Sequence, residues 1–95
     1  MTKPVYIAGI KYTYSTPRRV DSANSLGEAH YRRKSLKVRS GAGPIGLNTF
    51  IHEVIHISGR ENTCHKKLGD LDERDVDVLA NDLAGALRQA GWIKR

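Results

Sequence analysis

An H-E-x-x-H pentad occupies residues 52–56 inside an apolar run and predicts a helix with two histidines on one face. Since each residue of an α-helix turns the chain by about 100°, His52 and His56 stand one turn apart and can bind the same metal ion. Glu53 then lies beside that ion, where its carboxylate can take a proton from a metal-bound water. The alternative is that the pentad binds no metal. Both histidines would then be hydrogen-bonded residues of a core-facing helix, and Glu53 would be exposed to solvent.

The length of 95 residues limits the chain to a single domain, residues 1–95, with one modest hydrophobic core. No run of about 18 apolar residues occurs, and the first residues do not follow a charged start with an apolar segment. The sequence therefore predicts neither contact with a membrane nor a secretory signal. A single cysteine, Cys64, cannot form an internal disulfide, which favours a reducing compartment and a cytoplasmic protein.

Positive charge is concentrated in the N-terminal half of the chain. Residues 1–45 carry nine lysines and arginines against two acids, whereas the remainder has seven against eight. The basic segment 32–39, with Tyr31 beside it, can attract nucleic acid or an acidic partner. A solvated strand explains it equally well, because alternation from residue 34 to 39 places Leu36 and Val38 on one face, as in a protected edge strand.

Strands are predicted in the N-terminal half. Residues 5–14 are rich in β-branched and aromatic side chains and predict one strand. A polar loop covers residues 15–25, and a second extended segment covers 28–39, with a turn near 32–33. The glycine-rich stretch 40–46 lacks the phosphate-binding pattern G-x-x-x-x-G-K-[ST] and is predicted to connect the second extended segment to the next helix.

The motif helix is predicted to begin at a cap on Asn48 or Thr49 and to end at Gly59. The residues that we expect to pack it against the sheet are Phe50, Val54 and Ile57. A polar, basic loop, residues 60–69, follows the helix.

The last helix is predicted from a candidate cap at Asp70, with Glu73 three residues later, to Gly91. Its apolar residues recur at helical spacing at Val76, Leu79, Ala80, Leu83 and Leu87. Trp92 and Ile93 are expected to fold back onto the core. The complete pattern predicts an α+β fold, in which a small, mainly antiparallel sheet packs against the H-E-x-x-H helix and the C-terminal helix.

A zinc ion on two histidines needs at least one more protein ligand, and several downstream residues qualify. Glu73 ranks first because it shares the inward face of the last helix, although it can instead close a capping box with Asp70. His65, in the loop after the motif helix, ranks second and Asp72 third. Cys64 can bind metal as a thiolate, but free cysteines are more often small buried or inert residues.

Two segments together resemble a known family. Residues 49–56, TFIHEVIH, and 73–83, ERDVDVLANDL, are similar to the small zincin metallopeptidases of phages and prophages. In that group a T-[L/F]-x-H-E-x-x-H helix precedes a helix beginning E-x-x-V-x-x-L-A-x-x-L. Residues 26–38 also resemble the strand that enters the family's motif, whereas residues 1–25 carry little of the likeness.

The resemblance implies zinc bound by His52, His56 and Glu73, with Glu53 as catalytic acid or base. If a phage encodes the protein, the expected cytoplasm is that of the bacterial host. The metzincin extension H-x-x-G-x-x-H is excluded because residue 62 is asparagine and the only methionine is Met1. A gluzincin-like arrangement, with the third ligand on a later helix, fits better.

We therefore expect a zinc metallopeptidase that hydrolyses peptide bonds with a zinc-activated water. The segment 34–39 is expected to pair with an extended peptide substrate, and the candidates for stabilising the oxyanion are His65, Tyr31 and His30. The competing hypothesis is a zinc-stabilised binding protein without turnover, which holds a host protein or nucleic acid through its basic half. A domain without metal is the third interpretation.

Overall fold

The computed structural model describes residues 2–18, 26–41, 43, 45–62 and 66–92. The elements in this part of the chain are β1 (Thr2–Ile7), β2 (Ile10–Ser15), β3 (Gly27–His30), β4 (Ser35–Val38), α1 (Ile45–Glu61), α2 (Lys66–Gly69) and α3 (Glu73–Gln89). The α+β class is confirmed. Among the described residues, no helix combines the length and the apolar character that crossing a membrane requires.

The four strands form one mixed sheet in the order β1-β2-β4-β3. β1 pairs with β2 and β3 pairs with β4 in antiparallel fashion, whereas β2 and β4 are parallel, with Thr13 opposite Ser35. Two of the three pairings are antiparallel, so the expectation of a mainly antiparallel sheet is confirmed. The expected turn within residues 28–39 also occurs, at residues 31–34.

The prediction of one strand over residues 5–14 is wrong, because the chain reverses in the middle of it. Ala8 and Gly9 have φ values of 54° and 77°, both in the left-handed region, and Ile7 pairs directly with Ile10. A two-residue turn with positive φ at both positions matches the right-handed twist of a hairpin. Asparagine or aspartate usually precedes glycine in such turns, so Ala8 gave no clear signal for it.

β4 is a central strand, which corrects the prediction that residues 34–39 form an edge that pairs with substrate. The hairpin of β1 and β2 covers one side of β4, where the Thr13 amide donates to the Lys34 carbonyl oxygen at 2.8 Å. Leu36 and Val38 are buried, as the alternation predicted. The edges of the described sheet are β1 and β3, and of these β3 lies nearest to the motif residues of α1.

Helix α1 is longer than predicted at both ends, since it begins at Ile45 and continues past Gly59 to Glu61. Gly59 is buried inside the helix and has a packing role. A Cβ atom at Gly59 would lie 2.6 Å from the carbonyl oxygen of Leu68, so only glycine allows α2 to approach this closely. A glycine near a helix end usually indicates termination, and the tertiary contact was not visible in the sequence.

The core lies between α1 and the sheet. Ile57 is fully buried against Tyr12 and Leu36, and Phe50 and Val54 pack against the same cluster, which confirms the predicted inward face of α1. Such a continuous apolar layer is the main source of stability in a domain of this size.

Helix α3 packs mainly on α1, and its buried residues are Val76, Ala80 and Ala84. Leu79 and Leu83 remain 41% and 42% exposed, so the predicted apolar stripe is only partly covered. A helix with one principal neighbour buries a narrow stripe, and small alanine side chains allow the close approach. Trp92 is 80% exposed, which contradicts its predicted return to the core, and Ile93 lies outside the described residues.

A polar contact ties the C-terminal end of α1 to the sheet. The Glu61 carboxylate accepts hydrogen bonds from the Tyr12 hydroxyl at 2.6 Å and from Lys34 Nζ at 2.7 Å. These bonds, that of Lys34 first, lower the pKa of Glu61, while burial and the bond to Glu61 raise the pKa of Tyr12. The ionised form of Glu61 is therefore the form that the folded state stabilises.

Glu61→Gln should lower the free energy of unfolding at neutral pH, because the glutamine retains the shape of the side chain but not its charge. A carboxyl with a lowered folded-state pKa stabilises the fold above its unfolded pKa of about 4.3, and the contribution is lost as the pH falls through the folded-state value. Urea denaturation at several pH values should therefore show a parent–variant difference that shrinks in acid. An equal loss in Asp82→Asn, an exposed acid on α3, would contradict this role for Glu61.

Candidate metal centre

Helix α1 brings His52 and His56 together on one face, as the spacing predicted. Their ring centroids lie 4.7 Å apart, and their Nε2 atoms are separated by 3.1 Å. Both side chains are partly buried beside α3 and remain reachable from solvent, with 16% and 24% of each exposed. The two imidazole rings are therefore partly covered by protein but accessible to solvent.

Glu73, in the first turn of α3, contacts both histidines. Its Oε2 lies 3.1 Å from His52 Nε2 and its Oε1 lies 2.7 Å from His56 Nε2. One donor atom from each of the three residues lies within 4.8 Å of the others, so the group can hold a metal ion. We call His52, His56 and Glu73 the donor cluster. The first-ranked third ligand is thus the one that the fold brings to the histidines.

The capping of α3 explains why Glu73 is available. The cap is Asp72, whose carboxylate accepts from the Asp75 amide at 2.8 Å, while the Asp75 side chain accepts from the Asp72 amide at 3.4 Å. The predicted box of Asp70 with Glu73 is therefore displaced by two residues. Asp72, the third-ranked ligand candidate, therefore caps α3 instead of joining the two histidines. The other two candidates, Cys64 and His65, lie outside the described residues.

Asp77 is a site residue that the sequence reasoning missed. Its Oδ1 lies 2.7 Å from His52 Nδ1, on the side of the ring opposite the donor cluster. Because an ionised carboxylate can only accept, His52 must donate through Nδ1, and a neutral ring then keeps its lone pair on Nε2. Metal-binding histidines commonly donate their second N–H to a carboxylate in this way. The available signal was the position of Asp77 four residues after Glu73, on the same helix face.

The geometry of the donor cluster fits a small dication such as zinc. With Zn–N and Zn–O distances of about 2.0 to 2.2 Å, neighbouring ligand atoms of a tetrahedral site lie about 3.3 Å apart. The corresponding contacts within the donor cluster are 3.1, 3.1 and 2.7 Å. The Nε2 atom of His52 faces a carboxylate oxygen and a second imidazole nitrogen. These electron-rich atoms repel one another unless a proton or a cation lies between them.

Glu53 lies outside the donor cluster and next to the edge strand. A Cβ atom added at Gly27 of β3 would lie 3.4 Å from Glu53 Cγ, so the stem of this side chain lies against the start of the edge strand. Burial is the main reason that its pKa is raised; Glu73 and Glu28 raise it further, and His52 and His56 lower it. A half-buried carboxylate beside a solvent-reachable donor set is suited to accepting and returning a proton.

Two concave surfaces adjoin the donor cluster, one along each half of α1. The first, of about 430 Å³, includes Gly27, His52, Glu53, Glu73 and Asp77 in its lining. The second has a volume of about 480 Å³ and extends along the His56 end of the helix. Their linings share no residue, but His52 and Glu73 line the first surface and His56 lines the second, so both surfaces border the donor cluster. We call the two surfaces together the cleft.

Of the predicted oxyanion stabilisers, Tyr31 is the one that the fold places in this cleft. It lines the second concave surface together with His56, and Arg60 lies over its ring at 5.0 Å. Burial, followed by the charge of Glu53, raises the pKa of Tyr31, which keeps the hydroxyl protonated as a donor at neutral pH. His30 lies 3.6 Å from Glu28, outside the linings of both concave surfaces, and His65 is outside the described residues.

Comparisons of this chain with protein-family models, with curated proteins and with solved structures find no match. The resemblance to phage zincins therefore stays a prediction, and the candidate site rests on its own geometry and residue chemistry.

Asp77→Ala should weaken zinc binding by about 10-fold or more, because His52 loses the partner that orients its ring and fixes its tautomer. Competition against a chelating dye measures this affinity directly. Asp82→Ala, which removes another exposed acid from α3, is the matched control and should retain the parent affinity. Equal affinity in the parent and Asp77→Ala would show that Asp77 does not position the ligand.

Proposed function

We propose that this protein is a zinc-dependent metallopeptidase in which His52, His56 and Glu73 hold the metal and Glu53 is the catalytic acid and base. The observation that carries the proposal is the convergence of Glu73 from α3 on both motif histidines, at 3.1 and 2.7 Å. A structural pair of helix histidines needs no such carboxylate from another helix. Bound zinc would supply an acidified water and polarise a peptide carbonyl.

Three further residues would supply proton transfer, oxyanion stabilisation and the positioning of a metal ligand. Glu53 would accept the proton of the attacking water and pass it to the leaving amine, since its half-buried carboxylate lies beside the donor cluster. Tyr31, with its protonated hydroxyl in the same cleft, is the candidate donor to the developing oxyanion. Asp77 would position His52 and would not touch the substrate.

The substrate would bind along β3 instead of along residues 34–39. β3 is an edge strand of the described sheet, and Gly27 at its start lies in the lining of the cleft beside Glu53. An extended peptide can add to such an edge through backbone hydrogen bonds, which would hold its carbonyl groups over the donor cluster. We place this activity in the cytoplasm, of a bacterial host if a phage encodes the protein.

The metal content should be about one zinc per chain in protein purified without chelators or affinity metals. His56→Ala and Glu73→Ala should each lose most of it, because two remaining protein ligands bind zinc weakly. Elemental analysis provides the measurement, and Asp82→Ala should keep the parent content. An absence of zinc in the parent after zinc is supplied would contradict the proposal.

Glu53→Gln should retain zinc and lower the rate of peptide hydrolysis by about 10²- to 10⁴-fold, because glutamine cannot accept the proton. A degenerate peptide mixture analysed by mass spectrometry identifies cleaved bonds, and one cleaved peptide then gives kcat/KM for the parent and the variant. Hydrolysis by Glu53→Gln at the parent rate would remove Glu53 from the mechanism.

The second candidate is a binding protein that uses zinc only to join α1 to α3. It is favoured by the small size of the chain and by exposed basic residues of its N-terminal half, such as Arg32 and Arg33. A parent protein that contains zinc but cleaves no peptide, and that binds an oligonucleotide or host protein in a salt-dependent way, would favour this function.

A further inference from the structure

Three arginines border one concave surface beside the donor cluster. It has a volume of about 380 Å³ and is lined by Ala29, His30, Tyr31, Arg32, Arg33 and Arg60. We call it the arginine pocket. Arg32 and Arg33 belong to the turn between β3 and β4, while Arg60 comes from the last turn of α1, so two distant segments bring the three positive charges together.

The arginine pocket is continuous with the cleft at the donor cluster. Tyr31 and Arg60 line both the pocket and the concave surface that contains His56. Arg60 lies over the Tyr31 ring at 5.0 Å, a contact that holds its guanidinium near the junction of the two surfaces. All three arginines are exposed, and none forms an ion pair within the part of the chain that the structure describes. Their charges are available to a ligand.

The other end of the cleft is lined by negatively charged side chains. Glu53, Glu73 and Asp77 line the concave surface along the first half of α1, whose lining has no lysine or arginine. Even with a zinc dication in place, these carboxylates do not attract a second negative group. The surface beyond His56 has one arginine, Arg60, and one acid, Asp70, in its lining, whereas the arginine pocket has no acid. An extended ligand therefore meets positive potential in the arginine pocket and neutral to negative potential beyond His52.

We propose that the arginine pocket is an anion subsite, which selects peptide substrates that carry acidic side chains on the Tyr31 side of the cleaved bond. The inference rests on the proposed peptidase function for the position of that bond. A peptide fits better than a nucleic acid, because a nucleic acid has a charge at every nucleotide and would meet Glu73 and Asp77 at the other end. A peptide can concentrate its acidic residues at one end only.

The test measures binding without turnover. Fluorescence anisotropy uses protein that carries Glu53→Gln, which prevents cleavage of the probes and is the parent of this experiment. It compares three labelled probes: an octapeptide with aspartates in one half, the same peptide with lysines in their place, and a single-stranded oligonucleotide of similar length. The proteins are the parent, the Arg32→Glu/Arg33→Glu double variant and a Lys3→Glu/Arg39→Glu control. Both double variants change the net charge equally, but Lys3 and Arg39 are exposed residues toward the opposite end of the sheet from the 31–34 turn.

The aspartate peptide should bind the parent more tightly than the lysine peptide, and high salt should reduce the difference. Arg32→Glu/Arg33→Glu should weaken its binding at least about fivefold, because two attractive contacts become repulsive, and the control should change it little. Equal losses in both double variants, or no preference between the peptides, would overturn the subsite. Tighter binding of the oligonucleotide than of the aspartate peptide, lost in the same variant, would overturn it in favour of nucleic acid.

The two proposals fail in different ways. The peptidase proposal fails on zinc content or on the Glu53→Gln rates, and both measurements compare proteins that keep Arg32 and Arg33. The anion subsite fails on probe binding, which needs no hydrolysis. A protein that binds the aspartate peptide through Arg32 and Arg33 but holds no zinc would separate the two results.

Discussion

The contact of Glu73 with His52 and His56 is the constraint on which the rest of this site depends. It joins the start of α3 to the middle of α1, two helices whose remaining described contacts are small apolar residues and a few polar side chains. Glu73 makes this contact from the first residue of α3. The Asp72 cap fixes that start, because its carboxylate satisfies the Asp75 amide and leaves Glu73 free to turn toward α1. The cap at one helix end thus uses Asp72 and Asp75 and leaves Glu73 to the donor cluster.

The sequence predicted those parts of the structure that follow from local spacing. The helical face of His52 and His56, the inward face around Ile57 and the alternation of Leu36 with Val38 depend on fixed periods of helix and strand. The position of Glu73 beside the two histidines was also predicted, because its place on the inner face of α3 could be judged from the apolar residues that follow it. Its role as a metal ligand stays a prediction. The observed cap, Asp72, lies two residues after the predicted cap at Asp70, because this acidic segment offers several caps of similar quality.

Features that depend on long-range contacts were mispredicted. Gly59 indicates a helix end when read alone, but it lies inside α1 because α2 approaches it. The central position of β4 results from its parallel pairing with β2, which no pattern within residues 34–39 reveals. The spacing of Asp77 from Glu73 places both on one face of α3, but the contact of Asp77 with His52 depends on how α3 is rotated and placed against α1. In each case the missing information is the arrangement of neighbouring elements, which short-range patterns do not contain.

The same arrangement couples the proposed metal to the attachment of α3. Val76, Ala80 and Ala84 give α3 a narrow buried stripe, and Leu79 and Leu83 are only partly covered, so apolar burial alone holds this helix weakly. A cation bound by His52, His56 and Glu73 would favour only those conformations in which α3 lies on α1, and would stabilise them in proportion to its affinity. The position of Glu53 between α1 and β3 does not depend on α3. Helix α1 and the sheet form one side of the cleft without the metal. Metal binding would hold α3 against α1 and so place Glu73 and Asp77 on the other side.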